Sequence, residues 1–281
     1  MSSPKSLQDE LRFVTDFHEL LDVIQQVAVL QLRHCDEEAV RRVDLAQVLM
    51  ETFLSLVPVT AMDELSVRGG EHGQAIVVFA SEEGFVGPLL SETMRQALKH
   101  ADASTQWWLV GQRGLRLLDL PDDRLRVLPM PAEEEAREVL RRLAQDVLAH
   151  CLQAKLHRAW LIAPRFRSVT QQDVVVQQLF PLPVTPHDPN LGRGEVVIEP
   201  SVSRVVEHLI TSWMEHRMID TFWSARHAEY AARILQVEVS RQELAKRTKL
   251  LRYAWFKLMH ERVNVLVQET GVVQRCAMRR R

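Results

Sequence analysis

The chain has 281 residues, with 35 lysines and arginines against 37 aspartates and glutamates, and 46% of it is apolar. That balance excludes a disordered, collagen-like or disulfide-scaffold protein and fits one large domain or two small ones. No apolar run approaches the roughly 18 residues that a membrane-spanning helix needs. The first ten residues lack the apolar core of a secretory signal. Three cysteines without a Cys-x-x-Cys spacing argue against a disulfide framework or zinc ribbon, and a reducing cytoplasm is the expected compartment.

Helix breakers divide the chain. Among the 10 glycines none precedes Gly69 or falls between Gly194 and Gly271; among the 12 prolines none falls between Pro4 and Pro58 or after Pro200. Pro removes a donor and clashes in a helix, and Gly adds backbone entropy. Residues 1–58 and 199–281 therefore read as two very long helices, and residues 59–198 as a domain between them.

In the first tract a stripe of Phe13, Phe17, Leu20, Ile24 and Val27 at alternating 4-3 spacing predicts a coiled-coil seam. The middle segment reads as strand–helix alternation. Ala75–Ala80 is a continuous apolar run, as in a buried parallel strand. Ser81 to Gly87 is a turn, and Pro88 opens a helix to about Ala101. Residues 106–111 form a second strand, which 115–118 is expected to extend along an edge. A helix is predicted from Pro131, with Glu133–Glu135 at its favoured end, to about Gln153. Strands follow at 159–163 and 169–179, the latter alternating like an edge, and residues 181–194 read as a loop. The expected architecture is α/β: a central Rossmann-like parallel sheet with a long coiled coil.

The last tract continues the 4-3 pattern through Tyr230, Ile234, Val237, Leu244, Leu251 and Leu258, interrupted at Arg241, Thr248 and Arg262. Residues 1–57 carry 5 basic and 10 acidic side chains, and residues 201–281 carry 15 and 8. Opposite charge favours pairing the two tracts, and a domain between them makes the pair antiparallel. From Lys246 onward 10 basic residues face only 2 acidic ones, so that end has few intramolecular partners.

Catalytic signals are weak. Gly84-x-x-Gly87 sits between a strand and a helix, but Gly-x-Gly-x-x-Gly is missing and Pro88 removes an amide that would face a phosphate, so a structural turn is expected. There is no Gly-Lys-Ser/Thr loop, no Gly-x-Ser-x-Gly, and no His/Cys cluster at metal spacing. Arg279–Arg281 is too short a basic run to predict nucleic-acid binding. No catalytic residue, cofactor or metal ligand is expected.

Several segments resemble the gamma subunit family of F-type ATP synthases. Leu7-Gln8-Asp9-Glu10-Leu11-Arg12 followed by Val27-Ala28-Val29-Leu30-Gln31-Leu32-Arg33 is similar to the family's opening helix. Ser81-Glu82-Glu83-Gly84-Phe85-Val86-Gly87 resembles its Ser-Asp-x-Gly-Leu-Cys-Gly turn. Glu199-Pro200 resembles its Tyr-Glu-Pro, and Ala228-Glu229-Tyr230-Ala231-Ala232-Arg233 its Ser-Glu-x-x-Ala-Arg. From Glu199 to Glu269 the pattern aligns without a gap. Departures fall at Met259-His260, where the family has Arg-Gln, at Val263-Asn264, where it has Ile-Thr, and in the acidic first helix. The resemblance implies a non-catalytic rotor: a coiled coil standing in the alpha–beta hexamer, and an α/β foot resting with an epsilon subunit on a proton- or sodium-driven membrane ring. It also implies peripheral attachment at the cytoplasmic face of a bacterial inner membrane. Two other readings fit the bare pattern: an α/β adaptor whose coiled coil recruits a partner helix, and a small-ligand enzyme built on the α/β segment.

Overall fold

A computed structural model describes residues 4–41, 45–56, 73–118, 122–153, 156–182, 199 and 201–278. In chain order they form α1 (Pro4–Arg41), α2 (Leu45–Leu56), β1 (Gln74–Phe79), α3 (Leu89–His100), β2 (Thr105–Val110), β3 (Leu125–Leu128), α4 (Ala136–Gln153), β4 (Arg158–Ser168), β5 (Gln171–Phe180) and α5 (Val202–Met278). Two compact units result, one made of Met1–Ala28 with Leu235–Arg281 and the other of Val29–Ile234. No helix among the described residues is long and apolar enough to cross a membrane.

In the first unit the two helices run antiparallel. Arg247 pairs with Glu10, while Arg241, further back along α5, reaches Asp22 at 2.9 Å and Gln25 at 2.6 Å. Every seventh residue of α1 is buried: Leu7, Val14, Leu21 and Ala28. The expected seam is therefore displaced by one residue, since Leu20 and Val27 are 51% and 47% exposed. α1 carries two apolar stripes about 100° apart, and sequence bulk favours the wrong one. The stripe that packs includes Ala28, which is fully buried. Phe17 and Ile24, three residues beyond Val14 and Leu21, are half-buried on its flank. On α5, Val237 is buried, Leu244, Leu251 and Leu258 are half-buried, and Val265 is exposed.

The second unit is built on a five-stranded sheet in the order β3-β2-β1-β4-β5. β1 pairs in parallel with β2 and β4, β2 in parallel with β3, and β4 antiparallel with β5. All six β1 residues are buried, because helices cover both faces of the central strand. Ala75, Val77 and Phe79 face a core shared with Leu140 and Val147 of α4 and with Met214, Met218 and Phe222 of α5. Ile76 and Val78 face Met94 and Ala97 of α3 on the other side. Tyr230 and Ile234 belong here and not to the first unit, for Tyr230 packs on Leu32 and Cys35 of α1 with Ile234 against them.

Other expectations are corrected by local chemistry. Residues 112–117 form a 3₁₀ turn instead of an edge strand, and the edge is β3, four residues with two exposed side chains. α4 begins at Ala136, after a turn at Glu133–Glu135. β4 runs past Pro164, which lies beyond Ile162, where pairing with β1 stops, and which is paired with Val174 of β5 alone. Of the long helix expected over residues 1–58, Pro4–Arg41 and Leu45–Leu56 are helical, and residues 42–44 between them lie outside the described residues.

Candidate functional site: a turn clamped to the C-terminal helix

The strand order reverses at β1, and in open parallel sheets the crevice beyond the carboxyl ends at such a point is where ligands bind. In this chain the place is occupied by its own turn, Ser81 to Gly87, and by the face of α5 carrying Arg226, Glu229, Tyr230 and Arg233. Their spacing of three, four and seven puts all four on one helix face.

The turn is held from the sheet side by several bonds. The Ser81 hydroxyl donates to the Glu83 carbonyl at 2.8 Å, and the Arg113 amide donates to the Ser81 carbonyl at 3.1 Å. The Glu82 carboxylate accepts from the amides of Gln112 and Met130 at 3.0 and 3.2 Å, tying the turn to the ends of β2 and β3. Gly87 has φ +55°, a left-handed conformation suited to glycine, and Phe85 adopts φ +61° beside it.

From the helix side Arg233, only 3% exposed, donates through Nε to the Gly84 carbonyl at 3.2 Å and approaches Glu83 at 3.0 Å through Nη1. Glu229, 2% exposed, lies 3.3 Å from Arg226, whose other nitrogen donates to the Tyr230 hydroxyl. Both guanidiniums lie over the Tyr230 ring, at 4.8 and 5.5 Å from its centroid. Burial pushes the Glu229 carboxyl up from 4.5 to about 7, although Arg226 and Arg233 pull it down. Burial likewise holds the Tyr230 hydroxyl above its ordinary range. One turn back, His227 stacks on Phe166 at 3.6 Å and reaches Asp36 at 2.9 Å.

The arrangement is a fastener. The gap left between the turn, α3 and Glu229 is about 10 Å³, room for one water at most. The Gly84 carbonyl meets a guanidinium where a nucleotide loop would offer amides to a phosphate. Among the described residues no three His, Cys, Asp or Glu side chains are placed to hold a metal.

The structure thus brings together Gly84, Gly87, Glu229 and Arg233, motif positions more than 140 residues apart in the chain. It leaves the others elsewhere. Glu199 is exposed, Pro200 lies outside the described residues, and Glu269 is in α5 with its side chain outside them. Met259 is half-buried and His260 exposed, both on the α5 part of the first unit. Sequence reasoning missed Arg226 and Glu83. The signal was present in Arg226-x-x-Glu229-x-x-x-Arg233, alternating charges one turn apart within an otherwise apolar stretch.

The fold is that of an ATP synthase central-stalk chain. It superimposes with a TM-score of 0.72 on a chain of the Euglena gracilis mitochondrial ATP synthase OSCP/F1/c-ring structure, at 16% identity over 96% of this chain and 93% of that one. A chain in the Tetrahymena thermophila central stalk/c-ring structure matches with a TM-score of 0.58, covering 79% and 99%. Among curated proteins, the ATP synthase gamma chain of Erythrobacter litoralis is 23% identical over 249 residues, 83% of this chain and 84% of the relative. That of Chlorobaculum tepidum is 20% identical over 270 residues, 91% and 92%. The ATP synthase family model matches residues 3–253, and the chain belongs to the gamma subunit family of ATP synthases.

Proposed function

We propose that the chain is the central-stalk rotor of an F-type ATP synthase, coupling ion flow through a membrane ring to ATP synthesis or hydrolysis in an alpha–beta hexamer. The observation that carries this reading is the antiparallel pair of α1 and α5, locked by Glu10–Arg247 and Asp22–Arg241, in a chain of this family. Torque passes along a helix pair only if neither helix slides or unwinds. A breaker-free pair with buried heptad positions meets that need.

In this reading the pair stands inside the hexamer and the sheet unit meets the epsilon subunit and the c-ring. The chain itself catalyses nothing, and nucleic acid is no partner. Membrane association is peripheral and comes through the partners, on the cytoplasmic face of a bacterial inner membrane, with protons or sodium ions as the driving ion. In this reading Glu199, which is exposed, meets a basic loop of the ring, and Glu199→Lys is expected to lower ion pumping per ATP without changing the melting temperature. The decisive experiment is coexpression of the tagged chain with its genomic alpha and beta subunits. One copy should copurify with the hexamer, and vesicles carrying the full complex should pump ions on ATP addition. A hexamer that assembles and couples without this chain overturns the proposal.

A further inference from the structure

A helix laid on a sheet ordinarily presents apolar side chains to it. The stripe of α5 that faces the β4–β5 hairpin does not. Arg217, Thr221 and Ser224 lie on successive turns, whereas Met214, Met218 and Phe222 on the neighbouring stripe are buried in the core. Across from them stand Arg165 of β4 and Gln177 of β5, above an apolar floor that includes Ala163 and Val175, a directly paired couple. The two walls leave a cleft of about 150 Å³. That volume suits a molecule of benzene or phosphate size and is far too small for a nucleotide.

Two of the lining residues each carry a polar atom that is shielded from solvent and has no hydrogen-bond partner among the described residues: Nε of Arg165, a donor, and Oε1 of Gln177, an acceptor. A buried donor and acceptor left open are each unfavourable, and a ligand offering the complementary pair relieves both. The charge around the cleft favours an anion. Arg165, Arg167 and Arg217 outnumber Asp173 and Asp220, and Asp173 is engaged by Arg167 at 2.8 Å and Arg165 at 3.8 Å.

We propose that this cleft binds a small oxyanion that keeps a proton at neutral pH, hydrogen phosphate being the type. Its oxygens accept from the guanidiniums of Arg165 and Arg217, geometry that arginine suits better than lysine, and its hydroxyl donates to Gln177 Oε1. Sulfate has the same shape and no proton to donate, so it separates this chemistry from simple charge attraction.

The test is calorimetric titration of the full-length chain with inorganic phosphate, bicarbonate and sulfate. Phosphate should bind at least about tenfold more tightly than sulfate, Gln177→Leu should abolish that preference, and Arg165→Gln should weaken phosphate at least about tenfold. Bicarbonate is the second protonated oxyanion, and the tighter of the two names the natural ligand. Circular dichroism checks that each variant is folded, and Arg217→Gln replaces Arg165→Gln if the latter is not. No binding of either protonated anion up to about 10 mM, equal binding of phosphate and sulfate by the unaltered chain, or binding unaffected by the arginine variant overturns the proposal.

Discussion

Glu229 is a carboxylate enclosed by protein, with a guanidinium on either side along the helix, and burial wins: its pKa rises to about 7. An acid whose pKa is higher in the folded chain holds its proton more tightly there. The stability linked to it is fully present below the ordinary value of 4.5 and is lost as pH rises through about 7. Urea denaturation between pH 5 and pH 8 should therefore show stability falling with pH, and Glu229→Gln should remove up to about 3 kcal/mol of that fall. An unaltered pH profile in the variant would show that another group carries it. Gly111 is the second residue with a sharp expectation. At φ +100° a side chain there would place its Cβ 2.3 Å from the Ala80 carbonyl oxygen, on the loop that leads to the turn. Gly111→Ala should cost about 2–4 kcal/mol, read from the same denaturation curves, because neither the backbone angle nor the neighbour can yield.

The register of α1 can be settled by two adjacent leucines. Leu21 is fully buried and Leu20 half exposed. Leu21→Ala should cost about 2–5 kcal/mol, while Leu20→Ala should stay within about 0.5 kcal/mol in the isolated chain. Equal losses would restore the stripe that the spacing alone favours. The same helix shows what a sequence discloses and what it hides. Its length follows from absent breakers, yet its buried face does not follow from periodicity, since Phe13-Leu20-Val27 and Val14-Leu21-Ala28 both repeat every seven residues. The second succeeds because of a partner helix more than 200 positions away, as the Arg241–Gln25 bond illustrates. β1 was legible because burial on both faces leaves an unbroken apolar run, whereas β3, short and half exposed, carries no such signature. In the candidate site the turn and the helix motif were each visible. Their meeting was not, because Arg233 finds Gly84 only through the folding of the intervening sheet.

At the scale of the whole molecule α5 is the longest of the described elements, 77 residues of helix, about 115 Å at the standard rise. A break within it should separate folding from coupling. Ala245→Pro, in the first unit, should unwind the helix locally at a cost of about 3 kcal/mol, leave the sheet unit folded, and abolish ATP-driven ion pumping by the assembled complex. Pumping at the unaltered rate would mean that torque does not travel along this helix. The displaced seam has a further consequence, for life outside the complex. Phe13, Leu20, Val23 and Val27 stay 47–67% exposed along one side of α1, a greasy strip that the described residues leave uncovered. Surface of that kind seeks other surface, so an orphaned copy is a liability to the cell that makes it. Sedimentation of the purified chain should reveal self-association that grows with concentration and disappears in a Leu20→Lys, Val27→Lys variant. Synthesis matched in number to the partners, or prompt proteolysis of the surplus, then becomes a requirement imposed by four side chains.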